Sequence, residues 1–174
     1  MLSTPDSTYV LHDGRVVQAA ARGNELIPFV MGVYTQPVDS TVADLAPLRL
    51  AMDRVRRDRW EGRDVWVVGA TGAADTTSAQ FWVDAERLVL VRLLVPGGPP
   101  AGGAAQDIRF GGYVPLGASW LATRVTVTVG GRRVLAEDYT RYTADPALPE
   151  ATFDVTRWRE APHWTRADAA PAAP

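Results

Sequence analysis

The sequence predicts a mainly β fold, in which a curved antiparallel sheet forms an incomplete (half) barrel with short helices on its concave face. Two observations carry this prediction. Roughly eight runs of β-branched and aromatic residues alternate with short polar turns, whereas only two short segments fit a helix. An antiparallel sheet of that size twists and curls, so the helical segments can cover the face that becomes concave.

The chain opens with a predicted β-hairpin. Residues 7–11 and 15–20 are rich in strand-forming side chains. Between them stands Asp13-Gly14, a pair that tolerates the positive φ of a tight two-residue turn. We therefore expect the first two strands to pair with each other.

Two short helices are expected next. Residues 26–34 are strongly apolar but contain Pro28 and Gly32, which weaken a regular helix, so the pattern predicts a short, irregular and buried one. A second short helix should follow, with Asp39 or Ser40 as its N-terminal cap.

The middle of the chain combines a charged segment with three strands. Residues 53–59 mix positive and negative charges, and we interpret them as an exposed turn. Strands are predicted at residues 65–68, 80–84 and 88–95. The last of these is apolar on both faces except at Arg92, which is typical of a strand buried on both sides.

The second half of the chain is nearly all strand. A Gly/Pro/Ala-rich loop at residues 96–105 precedes a strand at 107–114. Along residues 120–129 the side chains alternate, so we expect Val125 and Val127 to face the helix-covered side and Thr126 to face away from it.

The end of the chain closes one predicted domain. Gly130-Gly131 should turn the chain into a strand at residues 132–142. Residues 1–164 are interpreted as a single β domain. The Ala/Pro-rich residues 165–174 lack the apolar content needed to order themselves and are predicted to be a disordered tail.

A glycine-containing segment, Gly69 to Asp75, follows a predicted strand as a phosphate-binding loop would. In a dinucleotide-binding fold, however, a helix must follow the glycines. The residues after Asp75 are strand formers without a helical apolar period, and Asp75 itself stands where the third glycine would be. We interpret the segment as a connector between strands and expect no dinucleotide cofactor.

Composition narrows the functional classes. The net charge is −2, which argues against a nucleic-acid surface because phosphate contacts need clustered basic residues. There is no cysteine, which excludes thiol catalysis, disulfides and cysteine-bound zinc. No apolar run has the length of a transmembrane segment, and the first residues lack the pattern of a signal peptide.

Candidate catalytic and metal-binding patterns are weak. His12 and His163 stand near opposite ends of the chain. A triad could be assembled from Ser78, Asp75 and either histidine, but no nucleophile-elbow pattern supports it. No histidine and carboxylate recur at metal-ligand spacing. We therefore predict no catalytic residue, no metal and no cofactor.

An ordered series of short motifs resembles an uncharacterised bacterial branch of the LolA/LolB-like family of outer-membrane lipoprotein-sorting proteins. The motifs span most of residues 7–164. They are Tyr34-Thr35-Gln36-Pro37, Trp60-Glu61-Gly62-Arg63, Val67-Val68-Gly69-Ala70, Gln80-Phe81-Trp82-Val83-Asp84, Arg87-Leu88, Arg92-Leu93, Glu137-Asp138-Tyr139, Phe153-Asp154 and His163-Trp164.

The resemblance implies a periplasmic carrier of lipoprotein acyl chains, or of another hydrophobic ligand, folded as a half barrel. It also implies that the chain is short at its N-terminus, because family members have an export signal, a helix and several strands before the matching part. The family's functional arginine has no matching position here, so no gating residue is carried over.

The apolar hollow of such a barrel predicts the ligand-binding residues. The helical segment would supply one wall and the central strands the other. The predicted residues are Leu26, Phe29, Val30, Met31, Ile108, Phe110, Val125 and Val127.

Three functional hypotheses remain open from the sequence. The first is a non-enzymatic carrier or sensor of hydrophobic ligands. The second is a structural or interaction domain whose own helix fills the hollow, and the third is an enzyme. The size of the hollow distinguishes the first two.

Overall fold

A computed structural model describes residues 2–3, 7–13, 15–21, 26, 28–97, 103–144 and 146–161, and the structural statements below concern these residues. They fall into two compact units. The smaller unit combines residues 1–27 with 146–174, and the larger unit is residues 28–145. The prediction of a single domain over residues 1–164 stays a prediction, and the predicted tail lies outside the described residues.

The smaller unit contains a three-stranded antiparallel sheet. Its strands are β1 (Leu2–Ser3), β2 (Thr8–His12) and β3 (Arg15–Ala20), in that spatial order. Pairing of β2 with β3 confirms the predicted hairpin. Two short 3₁₀ turns, Glu150–Thr152 and Trp158–Glu160, also belong to this unit.

The larger unit begins with irregular helical turns. A π-helical turn, Pro28–Gly32, continues into α1 (Val33–Thr35), as expected for an apolar segment containing proline and glycine. Helix α2 (Val38–Asp44) follows, and a 3₁₀ turn at Ala46–Leu48 ends the helical part.

The predicted cap of the second helix is wrong. Helix α2 begins earlier than expected, with Pro37 at the N-cap position and no side-chain hydrogen bond capping it. Asp39 lies inside the first turn, where the positive end of the helix favours a carboxylate. The stabilising acid is therefore present but does not cap the helix.

A seven-stranded antiparallel sheet forms the body of the larger unit. Its spatial order is β12-β11-β8-β7-β6-β5-β4, and a separate β9-β10 hairpin lies between β8 and β11 in sequence. The strands are β4 (Val55–Trp60), β5 (Arg63–Val68), β6 (Gln80–Asp84), β7 (Leu90–Val95), β8 (Gln106–Gly111), β9 (Val114–Leu116), β10 (Ser119–Leu121), β11 (Arg124–Val129) and β12 (Arg132–Asp138). The mainly β, antiparallel character is confirmed.

Strand β4 corrects the prediction of an exposed charged turn at residues 53–59. Along β4, exposed and half-buried residues alternate, with Arg56, Asp58 and Trp60 on the more buried side. The buried side carries an arginine whose guanidinium is paired with Asp58 and whose stem can pack on aromatic rings. Charge content alone therefore gave a wrong reading of this segment.

Cross-strand register defines the two faces of the sheet, because directly opposed residues in antiparallel strands share a face. On one face, Phe81, Leu93, Ile108 and Val127 form a row across β6, β7, β8 and β11. We call this the Phe81 face. On the other face, Trp82, Arg92, Arg109 and Thr126 form the adjacent row, and we call it the Trp82 face.

Both faces are buried in the centre of the sheet. Leu93, Ile108, Phe110 and Val125 are buried on the Phe81 face, and Val65, Val67, Trp82 and Leu94 on the Trp82 face. This agrees with the expectation of a strand covered on both sides, but the strand begins at Leu90 and not at residue 88, because Leu88 is 67% exposed and has a positive φ in the turn before it.

Candidate functional site

An apolar hollow lies against the Phe81 face. The ring of Phe29, in the π-helical turn, lies 5.2 Å from the ring of Phe81, so the irregular helix contacts this face of the sheet. Beside that contact is a cavity of about 220 Å³. Its walls include Phe29, Val30, Leu90, Phe110, Trp120 and Val125. The arrangement is an aromatic and aliphatic recess between a helical turn and a sheet.

Three tyrosines, Tyr34, Tyr113 and Tyr139, bring polar groups to the hollow, and the hydrogen bonds of Tyr113 and Tyr139 are defined. Tyr113 donates its hydroxyl to the Leu90 carbonyl, and burial raises the pKa of Tyr113 well above its usual value. Tyr139 donates to Glu137 over 2.6 Å, and this hydrogen bond raises the pKa of Tyr139 to about 12. Both phenols are therefore uncharged near neutral pH, which suits an apolar ligand.

Four of the eight predicted ligand-binding residues line this hollow. Phe29 and Val30 form the helical wall, and Phe110 and Val125 are opposite each other on β8 and β11. Both valines of the predicted alternation, Val125 and Val127, lie on the Phe81 face, and Thr126 lies on the other.

The other four predicted residues are placed differently. Ile108 and Val127 are paired with each other one row away and do not line the hollow. Leu26 belongs to the smaller unit. Met31 lies in the π-helical turn, and its side chain is outside the described part of the chain.

A tryptophan–arginine cluster occupies the Trp82 face. It consists of Arg56, Trp60, Trp82, Arg92 and Arg109. The rings of Trp60 and Trp82 meet edge to face at 5.2 Å. The Arg92 guanidinium lies over both, at 4.8 and 5.0 Å from their centroids. Cation–π contacts of this kind are strongest where water is excluded.

Asp107 holds the cations of the cluster in place. It accepts two hydrogen bonds from Arg92, at 2.9 Å each, and another from Arg109 at 2.7 Å. Burial raises the pKa of Asp107, but these arginine contacts lower it further, so the carboxylate stays charged. Arg92, Arg109 and Asp107 are engaged with one another, whereas Nε and Nη2 of Arg56 are buried without a hydrogen-bond partner beneath the Arg56–Asp58 ion pair and the Trp82 ring. Because most of its charged groups bind each other, we assign the cluster a structural role.

Sequence reasoning missed this cluster. Arg92 stood out as the polar exception in an apolar strand, and Arg56 was placed in a turn. The available signal was the alternation of Arg56, Asp58 and Trp60 on one side of β4. Pairing of β4 with β5, and of β5 with β6, brings these side chains beside Trp82.

A shallow polar depression of about 420 Å³ lies where β4 meets β5 and β6 meets β7. Arg57, Arg59 and Arg63 line it together with Asp64 and Glu86. Arg63 is already bound by Asp84 and Glu86, and Arg57 stacks on Trp66 at 4.5 Å. The charges are thus largely satisfied within the protein.

The glycine-containing segment is a connector, as the sequence predicted. It leads into β6, a strand, where a dinucleotide-binding fold needs a helix. Asp75 accepts hydrogen bonds from the backbone amides of Thr77 and Ser78 and from the Ser78 hydroxyl, which lower its pKa well below the usual range. The Asp75 carboxylate therefore stabilises the conformation of its own loop and does not take part in a phosphate-binding arrangement.

Buried Gln80 forms hydrogen bonds both with that loop and with the tryptophan–arginine cluster. Its side chain is fully buried, donates to the Asp75 carbonyl over 2.7 Å and accepts from the Trp82 indole over 2.9 Å. The Ser78 hydroxyl donates a hydrogen bond to Asp75 over 2.7 Å.

The described part of the chain has no group of side chains typical of a metal site and no helix typical of a membrane span. Nowhere in it do three histidine, cysteine or acidic side chains gather as metal ligands would. None of the helices there combines the length and the apolar character that crossing a membrane requires. His163 lies outside the described residues.

Comparison with protein-family models, curated proteins and solved structures finds no match for this chain. The resemblance to the LolA/LolB-like family therefore stays a prediction.

Proposed function

We propose that the protein is a non-enzymatic binder of a hydrophobic ligand, such as a lipoprotein acyl chain, that acts in the cell envelope. The observation that carries the proposal is the apolar hollow on the Phe81 face, closed on one side by an irregular helical turn. Apolar recesses with few polar groups are the usual form of small-molecule sites. The half-barrel shape and periplasmic location belong to the same proposal and rest on the family resemblance.

The size of the hollow indicates that binding requires a movement. At about 220 Å³ it is smaller than the roughly 300–1,000 Å³ typical of ligand pockets. Micromolar affinity needs about 8 kcal/mol, which corresponds to about ten buried methylenes at about 0.8 kcal/mol each. A chain of that length would enter as the Pro28–Gly32 turn shifts outward, since a π-helical turn is a rare irregularity and this one contains Gly32, which weakens helical structure.

The second candidate is a structural domain whose hollow is filled by its own helix. The contact between the rings of Phe29 and Phe81 favours this second candidate, because the buried Phe29 ring already occupies part of the recess. The two candidates predict opposite outcomes for a ligand titration.

A fluorescent fatty-acyl probe tests the proposal. We expect saturable binding to the purified protein with a dissociation constant in the micromolar range. Val30→Asp should weaken binding by roughly threefold or more, a cost of about 0.7 kcal/mol, because it adds a carboxylate to the apolar wall at a side chain that is 38% exposed and so stays partly hydrated.

Val33→Asp is the matched control. Val33 is an exposed valine three residues further along the same helical segment, and it does not line the hollow. Circular dichroism should show that both variants stay folded. Failure of the folded wild-type protein to bind the probe would contradict the proposal and favour the self-filled domain.

A further inference from the structure

Strand β12 is an exposed edge of the seven-stranded sheet. Among the described strands it pairs with β11 alone. All of its residues except Glu137 are exposed, including Val134 at 56% and Leu135 at 42%. An open edge that carries apolar side chains is a template for pairing with another strand.

The charges of β12 complement a second copy of β12. Arg132 and Arg133 begin the strand, and Glu137 and Asp138 end it, with apolar residues between them. When two such strands run antiparallel, the basic end of each lies beside the acidic end of the other. Opposite charges across a strand pair stabilise it, and like charges destabilise it.

The opposite edge of the sheet lacks this complementarity. In β4 the charged residues are Arg56, Arg57, Asp58 and Arg59. An antiparallel pair centred on β4 would set Arg56 beside Arg59 twice, which is repulsive, and Arg57 beside Asp58 twice, which is attractive, so the two effects offset each other. The charge pattern therefore favours self-association through β12 and gives no such preference through β4.

We propose that β12 is a homodimer interface, in which two copies of this chain pair antiparallel about a two-fold axis and join their seven-stranded sheets. Val134 and Leu135 are the exposed large apolar residues in the middle of β12 and form the apolar centre of the interface. The register shift in the β11–β12 pairing, which leaves Val134 without a partner on β11, bends the strand locally and limits the length of the new pairing. A two-fold axis makes this contact isologous, so it closes at two copies.

The dimer is expected to be weak and to depend on concentration. Seven strand residues extend over about 23 Å, at about 3.3 Å per residue. Contacts of that size fall in the class of small, transient interfaces. Sedimentation velocity of the full chain over a wide concentration range should show a monomer–dimer equilibrium. A monomer at every concentration would overturn the proposal.

Single cysteines test the location, because the natural chain has none. Oxidation of Leu135→Cys should give a covalent dimer. Val55→Cys, at a similarly exposed valine on β4, is the matched control and should stay monomeric under the same conditions. Equal cross-linking of the two variants would overturn the assignment to β12.

A charge exchange tests the complementarity. The double variants R132E/R133E and E137R/D138R should each be monomeric, because each sets like charges together at both ends of a self-pair. An equimolar mixture should form a heterodimer, since one strand is then acidic throughout and the other basic. Dimerisation of either variant alone, or a mixture that stays monomeric while the wild type dimerises, would contradict the proposed pairing.

Discussion

Gly69 directly follows β5 and has a backbone conformation that an L-residue with a side chain rarely adopts. Its φ is +109°, and a Cβ at this position would lie 2.2 Å from the carbonyl oxygen of Ala79. The glycine therefore permits the connector to pass close to the start of β6. In the sequence this residue suggested a phosphate loop, whereas in the structure it serves a close approach of the chain to itself.

Gly69→Ala should destabilise the protein by about 2 kcal/mol or more, because a positive φ and a backbone clash act together. Urea unfolding measures the change. Gly72→Ala, in the same segment, is the control: its Cβ would meet the Asp75 side chain at an ordinary 3.6 Å, so its effect should stay within about 0.5 kcal/mol. Equal losses in the two variants would contradict this account.

Asp84 organises the turn between β6 and β7. Its buried carboxylate accepts from the backbone amides of Glu86 and Arg87, at 3.0 and 2.8 Å, and binds Arg63. The hydrogen bond from Arg63 is the main cause that lowers the pKa of Asp84 to about 2. A carboxyl with a lowered folded-state pKa stabilises the fold above its unfolded value and loses that contribution as the pH falls through the folded value.

Asp84→Asn should therefore lower the free energy of unfolding at pH 7 by on the order of 2 kcal/mol. The gap between wild type and variant should narrow as the pH falls from about 4 to about 2, as the wild type loses the same contribution. Asp64→Asn, at an exposed carboxylate 3.9 Å from Arg59, should change little. A gap that is constant over this pH range would count against the Arg63–Asp84 pairing.

At the scale of elements, β5 and β6 decide which side of the sheet each tryptophan joins. Trp82 is 6% exposed and belongs to the tryptophan–arginine cluster, while Trp66 is 36% exposed on the opposite face beneath Arg57. The tryptophans stand within uninterrupted apolar runs, residues 65–68 in β5 and 81–83 in β6, so the local sequences have no alternation that assigns a face. The pairing of β5 with the charged strand β4 determines which face each tryptophan occupies.

Trp82→Ala should destabilise the protein by about 3–5 kcal/mol, the usual range for truncating a buried large aromatic. It also leaves Gln80 without its indole donor and removes one ring beneath Arg92. Trp66→Ala should cost less, about 2–3 kcal/mol, since Trp66 is already 36% exposed and only its covered surface contributes. Guanidinium unfolding monitored by circular dichroism compares the two, and a larger loss for Trp66→Ala would reverse the assignment of faces.

At the scale of the whole molecule, the large sheet is a meander whose spatial order follows the chain. Each strand pairs with its neighbour in sequence, apart from β8 and β11, which the β9-β10 hairpin separates. In such a topology the positions of strands and turns suffice to predict the strand order. The hollow is different, because its walls include parts of the π-helical turn, β7, β8, β10 and β11, and only four of its predicted residues meet there.

The sequence by itself determined the mainly β class, the first hairpin, the irregular first helix and the strand character of residues 80–84. Those features depend on local alternation, on turn residues and on the backbone limits of proline and glycine, which act between neighbours in the chain. Tertiary structure alone decided that β4 is a strand, that Trp82 and not Trp66 is buried, and that Ile108 and Val127 lie outside the hollow. A guanidinium can be buried only where paired strands supply a carboxylate and an indole face beside it, and those partners are distant in sequence.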